Sequence, residues 1–211
     1  MKAAIFDLDG TLFSLSGERR FIPWLVVNLR FNPFRVIPYI WRSLKDRDFF
    51  STKLYYRGYD SKKIRAYAKE YFSPQRIRRI IFPDALREIE ERRKEGAFLV
   101  LLTGAPDFIA ENFKVLGFEK IVASVVVEKD GKFTGELIEY PSGKRKREIV
   151  EDLAKQYGIM LGESYGYGNS SADAHFLSLL GNPVAVNPSR KLKQIALRNG
   201  WRVEYWNYLR R

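Results

Sequence analysis

Short apolar runs and amphipathic stretches take turns along this chain. Residues 2–8 (Lys-Ala-Ala-Ile-Phe-Asp-Leu) and 98–102 (Phe-Leu-Val-Leu-Leu) are brief apolar runs that close on polar residues or glycine, the pattern of strands buried on both faces. Residues 121–127, 183–187 and 201–206 give further strand signals. Between them, residues 84–96 place Ala85, Leu86 and Ile89 on one helical face and stop at Gly96. Helices are likewise expected over 107–116, ending at Gly117, over 144–156, before Gly158, and over 173–180 and 190–198. Asp130-Gly131 between β-prone runs predicts a hairpin. Tyr165-Gly166-Tyr167-Gly168 reads as the entry to a loop. Strands alternating with helices predict an α/β fold, a Rossmann-like parallel sheet covered by helices on both faces. In such sheets functional groups gather at the carboxyl ends of the strands. Asp7 with Asp9, Thr103 with Gly104, and Asn169 with Asp173 fall at or just beyond such ends.

Residues 13–82 break the alternation. They carry Pro23, Pro33 and Pro38, long apolar-aromatic stretches and a basic helix signal over 61–71. Charge marks the same boundary. The net charge of +12 is concentrated here, with 16 of the 37 Lys and Arg, 5 of the 25 Asp and Glu, and 16 of the 31 aromatic residues. The expected organisation is an α/β core from residues 1–12 and 83–211, with 13–82 as an inserted, mostly helical, basic and aromatic cap.

The chain has 211 residues, no cysteine and one histidine, His175. That composition excludes a disulfide framework, a thiolate zinc site, cysteine nucleophiles and a histidine metal cluster. Chemistry falls to carboxylates, hydroxyls, lysines and a hard metal ion. The first residues lack the pattern of a secretory signal, and no apolar run approaches the ~18–20 residues needed to span a bilayer. A cytoplasmic protein is expected. The basic, aromatic cap leaves open peripheral contact with an anionic membrane at its inner face. No nucleic-acid recognition motif is present, and the oligomeric state is not legible.

Asp7-Leu8-Asp9-Gly10-Thr11 sets two carboxylates one strand period apart at a strand end. One can attack phosphorus; the other can give a proton to the leaving alcohol and later activate water. An anionic nucleophile facing an anionic phosphate needs a divalent cation and a fixed positive charge. Oxygen ligands favour Mg²⁺. The remaining parts follow in order: the Thr103 hydroxyl and Gly104 backbone N–H for phosphate oxygens, Lys144 or Lys146 at a helix start, and Asn169 and Asp173 as oxygen donors to a metal.

In this ordered set the chain resembles the haloacid dehalogenase superfamily, and within it subfamily IB, the phosphoserine-phosphatase-like hydrolases. The motifs are Asp7-Leu8-Asp9-Gly10-Thr11-Leu12, Leu101-Leu102-Thr103-Gly104, a lysine before a helix, and Gly168-Asn169-Ser170-Ser171-Ala172-Asp173. The resemblance implies a magnesium-dependent phosphatase for a small phosphorylated substrate, working through an aspartyl-phosphate. Asp7 would be the nucleophile and Asp9 the general acid/base. Asp7, Asp9 (through its backbone carbonyl), Asn169 and Asp173 would form the metal site. The family pattern favours Lys146 over Lys144, because Ile149 and Val150 follow it at the expected spacing. Many relatives carry Asp where Asn169 stands, so a weaker metal site is expected. Phe50 and Arg57 resemble the family's substrate-contacting pair. Glu18 lies near, but not at, the spacing of the acidic residue that binds a substrate amino group. A phosphatidylglycerophosphate-type lipid phosphatase is the alternative reading. A further alternative is a non-catalytic module on the same fold that binds an anionic surface or nucleic acid.

Overall fold

The computed structural model describes residues 1–32, 34 and 53–208. Seven strands make one sheet in the order β4-β3-β2-β1-β5-β6-β7. They are β1 Ala3–Phe6, β2 Phe98–Pro106, β3 Lys120–Lys129, β4 Lys132–Glu139, β5 Tyr165–Gly168, β6 Asn182–Val186 and β7 Arg202–Glu204. Neighbours run parallel except β3 and β4, the expected hairpin, whose turn at Asp130 and Gly131 has φ of 51° and 72°. The chain builds outward from β1 through β2 and β3, then returns to place β5 on the other side of β1. The order therefore reverses at β1, and the crevice beyond its carboxyl end is where such sheets bind ligands.

Strand periodicity divides the core. Ala4, Phe6, Leu99 and Leu101 join the apolar cluster on one face, while Ala3, Ile5, Val100 and Leu102 join the cluster on the other. The second face is covered by Ile149, Val150 and Leu153 of helix Lys144–Tyr157 and by Leu192 and Ala196 of helix Arg190–Arg198. The first face is covered by Ala85 and Ile89 of helix Pro83–Lys94 and by aromatics from the segment before it.

That segment holds helices Gly17–Val27, Ser61–Tyr71 and Pro74–Ile80, and a 3-10 turn at Leu54–Tyr56. Ser16, Asp60 and Ser73 cap the three helices by accepting from the N–H groups of Arg19, Lys63 and Arg76. Phe13, Phe21, Tyr55, Tyr56 and Phe72 are buried, so much of the aromatic excess serves as packing. Residues 53–61 are laid along the hairpin. Lys53 N–H donates to Gly135 O (2.9 Å), Gly58 N–H to Phe133 O (2.8 Å) and Ser61 N–H to Gly131 O (2.9 Å). Gly135 has φ 85°, and a Cβ there would stand 2.5 Å from Leu54 Cα, so only glycine permits this approach.

Four expectations change. Tyr165–Gly168 is not a loop entry but β5, a central strand. The 173–180 helix shortens to Ala174–Leu177. Residues 107–116 divide into a helical turn, Asp107–Ala110, and a 3-10 stretch, Glu111–Leu116. Thr103 and Gly104 lie within β2 rather than after it. Phe50 lies outside the described residues.

Candidate active site

β1 ends at Phe6, and the next residue, Asp7, still pairs through its N–H with Tyr167 O (2.9 Å) of β5. Its side chain therefore leaves the sheet at the point where the strand order reverses. A tight turn follows, with Leu12 N–H donating to Leu8 O and Gly10 N–H to Phe13 O. Gly10 has φ 81°, and a Cβ would lie 2.1 Å from Asn169 Nδ2. A side chain here would push the first motif away from the fourth.

Asp7, Asp9, Thr103, Gly104, Lys146, Asn169 and Asp173 all line one cavity of about 530 Å³. Lys146 Nζ sits 2.7 Å from Asp7 Oδ1 and 2.6 Å from Asp173 Oδ1. All three side chains are buried. Burial pushes the Asp7 carboxyl up to about 6, against the pull of Lys146. Burial also works against ionisation of Asp173, but Lys146 and the hydrogen bonds from Ser170 outweigh it and hold this carboxyl below its usual range. Lys146 loses solvation too, yet Asp173 and Asp7 hold its pKa above the ordinary lysine value. Lys146 is thus a fixed cation.

The other Asp7 oxygen, Oδ2, accepts from Thr11 Oγ1 (2.9 Å), and Asn169 Oδ1 lies 3.5 Å from the same hydroxyl. Asp173 Oδ2 accepts from Asn169 N (3.2 Å), Ser170 N (2.8 Å) and Ser170 Oγ (2.8 Å). Asp173 therefore holds both the Asn169 loop and Lys146 in place. Asp9 Oδ1 accepts from Gly17 N–H (2.8 Å) at the start of helix Gly17–Val27. Burial raises Asp9 to about 7; the Gly17 N–H opposes this, while Asp7 and Glu18 add to it. A carboxyl so placed carries its proton near neutral pH and can give it up. Thr103 is buried, its hydroxyl accepting from Ala105 N–H (3.0 Å), and Ser124 Oγ fixes the Gly104 carbonyl (2.8 Å).

Among the described residues no three His, Cys, Asp or Glu side chains converge on a metal position. Asp7 Oδ2 and the Asn169 amide oxygen meet at the Thr11 hydroxyl, while both Asp173 oxygens are engaged by Lys146 and the Asn169 loop. One carboxylate with neutral oxygens fits Mg²⁺, which keeps several waters, and does not fit zinc.

Lys144 does not reach the cavity. It is exposed at the first turn of helix Lys144–Tyr157, and two residues of a helix lie about 200° apart, so Lys144 and Lys146 face opposite ways. Arg57 is exposed and is not among the cavity residues. From its segment it is Lys53 that reaches the cavity, 2.5 Å from Glu18 Oε2, while Tyr55 OH donates to Glu18 Oε1. Glu18 and Lys53 are both buried. The sequence signal for this pair was faint: an acid at an unmatched spacing and one lysine among many.

The match to known proteins follows the same outline. A curated relative from Streptomyces azureus, "Inhibition of morphological differentiation protein", is 37% identical over 124 residues, 58% of this chain and 45% of that protein. "Phosphoserine phosphatase SerB1" of Mycobacterium tuberculosis is 31% identical over 131 residues, 61% of this chain and 42% of that protein. The matched region thus spans less than half the length of either relative. A crystal structure of a protein of unknown function from Bordetella pertussis Tohama I superposes with a TM-score of 0.81 at 23% identity, covering 96% of this chain and 97% of that one; the two share a fold. Over residues 4–178 the sequence matches the haloacid dehalogenase-like hydrolases, and the chain belongs to that family.

Proposed function

We propose that this chain is a magnesium-dependent phosphomonoester hydrolase that works through an aspartyl-phosphate on Asp7. The observation that carries the reading is Lys146, buried and bridging Asp7 and Asp173 beneath a cavity that also holds Asp9 and Thr103. Asp7 Oδ attacks phosphorus in line with the ester oxygen, and the P–O bond to the alcohol breaks as Asp9 delivers its proton to that oxygen. Lys146 Nζ, the Thr103 hydroxyl and the Gly104 N–H hold the phosphoryl oxygens, replacing water with fixed donors. Water then attacks the aspartyl-phosphate, Asp9 takes its proton, and inorganic phosphate leaves with Asp7 restored. Asp7, the Asp9 carbonyl and Asn169 would hold Mg²⁺, with Asp173 behind them; the ion would neutralise charge on the phosphoryl group. Residues 13–82 act as a cap, limiting water around the site during the first transfer.

The test is release of p-nitrophenol from p-nitrophenyl phosphate. Turnover that requires Mg²⁺ and is lost on chelation is expected. A folded protein with no turnover and no beryllofluoride adduct would leave only a binding module on this fold.

A second reading, action on lipid phosphates at an anionic membrane surface, is favoured by Val27, Leu29 and Phe34. These are 80%, 94% and 75% exposed and lie in the segment that carries most of the net charge. Among the described residues no helix is long and apolar enough to cross a membrane, so contact would be at the surface. Co-sedimentation with phosphatidylglycerol vesicles, lost in Leu29→Ser/Phe34→Ser, is the expected outcome; no binding at low salt removes this reading.

A further inference from the structure

The cavity wall also bears a second buried ion pair that the proposed reaction does not use. Glu18 Oε2 is 2.5 Å from Lys53 Nζ, and Glu18 Oε1 accepts from Tyr55 OH. Their exposures are 6%, 1% and 4%. Burial and the neighbouring Glu18 raise the Tyr55 hydroxyl well above its ordinary pKa, so it remains a donor. Each oxygen of Glu18 is thus engaged from within the protein. Glu18 and Lys53 line the same cavity as Asp7 and Asp9, together with exposed Arg19 and with Tyr140 and Pro141. With a phosphoryl group held at Asp7 and Lys146, the rest of this cavity, the pair included, is the surface left for the alcohol portion of an ester.

We propose that the Glu18–Lys53 pair sets leaving-group specificity, excluding alcohols that carry an ammonium and admitting hydroxylated or anionic ones; the proposal deepens the phosphatase reading and rests on it. A buried carboxylate beside a reacting centre is the natural partner for a substrate ammonium. Here that position is filled by the chain's own lysine. A substrate ammonium reaching Glu18 must break the Lys53 contact and then stand beside a second cation in a poorly solvated recess, where like charges repel strongly. Among the described residues, Lys53 and Arg19 here are cationic and Glu18 is anionic. A hydroxyl or carboxylate meets donors there; an ammonium finds the Glu18 carboxylate already engaged.

The placement is built in rather than incidental. Lys53 N–H is hydrogen-bonded to Gly135 O across the hairpin (2.9 Å), and the close approach of Leu54 to Gly135 fixes the segment. Glu18 lies in the first turn of helix Gly17–Val27, whose first residue also binds Asp9. The pair and the general acid are therefore held by one helix end.

The test uses ester pairs that differ only in ammonium against hydroxyl: O-phosphoethanolamine with 2-hydroxyethyl phosphate, and O-phosphoserine with 3-phosphoglycerate of the same hand. In the unmodified protein kcat/KM for the hydroxyl member should exceed that of the ammonium member by about tenfold or more in each pair. Lys53→Met releases Glu18 and should move the ratio toward the ammonium member by about tenfold. Glu18→Gln should not single out the ammonium members for loss. Glu18→Gln/Lys53→Met leaves no unpaired charge between these two positions and should lack the gain seen in Lys53→Met, which covers the case in which Lys53→Met folds poorly. Preference of the unmodified protein for ammonium esters, or their selective loss in Glu18→Gln, would overturn the proposal. Calorimetric titration of the same esters into Asp7→Asn reads the same order without turnover. Hydrolysis of p-nitrophenyl phosphate reports separately on the phosphatase reading.

Discussion

The cavity has a floor and a wall, each centred on a buried lysine, and the two differ in their charge balance. On the floor, Lys146 is shared by Asp7 and Asp173. Two carboxylates against one ammonium leave an unbalanced negative charge, which is what a divalent cation requires. On the wall, Lys53 is paired with Glu18, and cationic Arg19 lines the same cavity. In the proposed reading, the same pairing physics serves a cation-seeking reaction centre in one place and a surface whose carboxylate is already engaged in the other. The supports differ as well. The floor hangs from the ends of β1, β2 and β5 and from one helix start. The wall is brought in by helix Gly17–Val27 and residues 53–61, the latter steadied by the β3–β4 hairpin.

The largest effect should come from breaking the floor at the nucleophile. Asp7→Asn keeps the shape, removes the attacking oxygen, and should lower kcat by at least about 10³-fold in a p-nitrophenyl phosphate assay. Next is Lys146→Met, which leaves two carboxylates buried without their cation. Turnover should fall by about 10²–10³-fold, and denaturant titration should show a loss of about 3–5 kcal/mol. The wall responds more mildly. Gly135→Ala places a side chain against Leu54 at a positive φ, and should cost about 1–3 kcal/mol of stability. It should also shift the preference between ammonium and hydroxyl esters more than it changes kcat for p-nitrophenyl phosphate.

The pH profile sharpens the account of the floor. Asp7, raised to about 6, must be ionised to attack, so kcat/KM falls as pH drops through that value or below it once a cation is bound. Asp9, raised to about 7, must be protonated to assist departure of the alcohol, so kcat/KM falls as pH rises through about 7. Asp9→Asn should abolish the alkaline limb and slow alkyl phosphates more than p-nitrophenyl phosphate, whose leaving group needs little protonation. The smallest effect is expected from Lys144→Ala. Lys144 points away from the cavity, so kinetic constants should stay within about twofold of the unmodified protein.

The floor was legible in the sequence because its parts are local. Asp7 and Asp9 end a short apolar run, and Thr103-Gly104 lies in another. Lys146 precedes Ile149 and Val150 on a helix whose apolar face fixes which lysine turns inward. β5 was not legible, since Tyr165-Gly166-Tyr167-Gly168 has neither an apolar run nor alternation. Its strand character comes from partners on both sides and from Tyr167, which stacks on Phe6 at 4.3 Å and donates to Glu88. The wall was hidden for a different reason. Glu18 and Lys53 are 35 residues apart, and nothing local to either marks a buried pair. Their meeting depends on how the hairpin receives residues 53–61, a tertiary fact with no periodicity to betray it. The sequence pointed instead to Arg57, which the same turn carries to the surface.

The central claim is that phosphate passes through Asp7. Protein mixed with Mg²⁺ and a phosphate ester, quenched in acid during turnover and digested at low pH, should yield the peptide containing Asp7 with a phosphoryl group attached. The adduct should be absent from Asp7→Asn. Turnover with no such adduct, together with an Asp7→Asn protein that still hydrolyses the ester, would contradict the account.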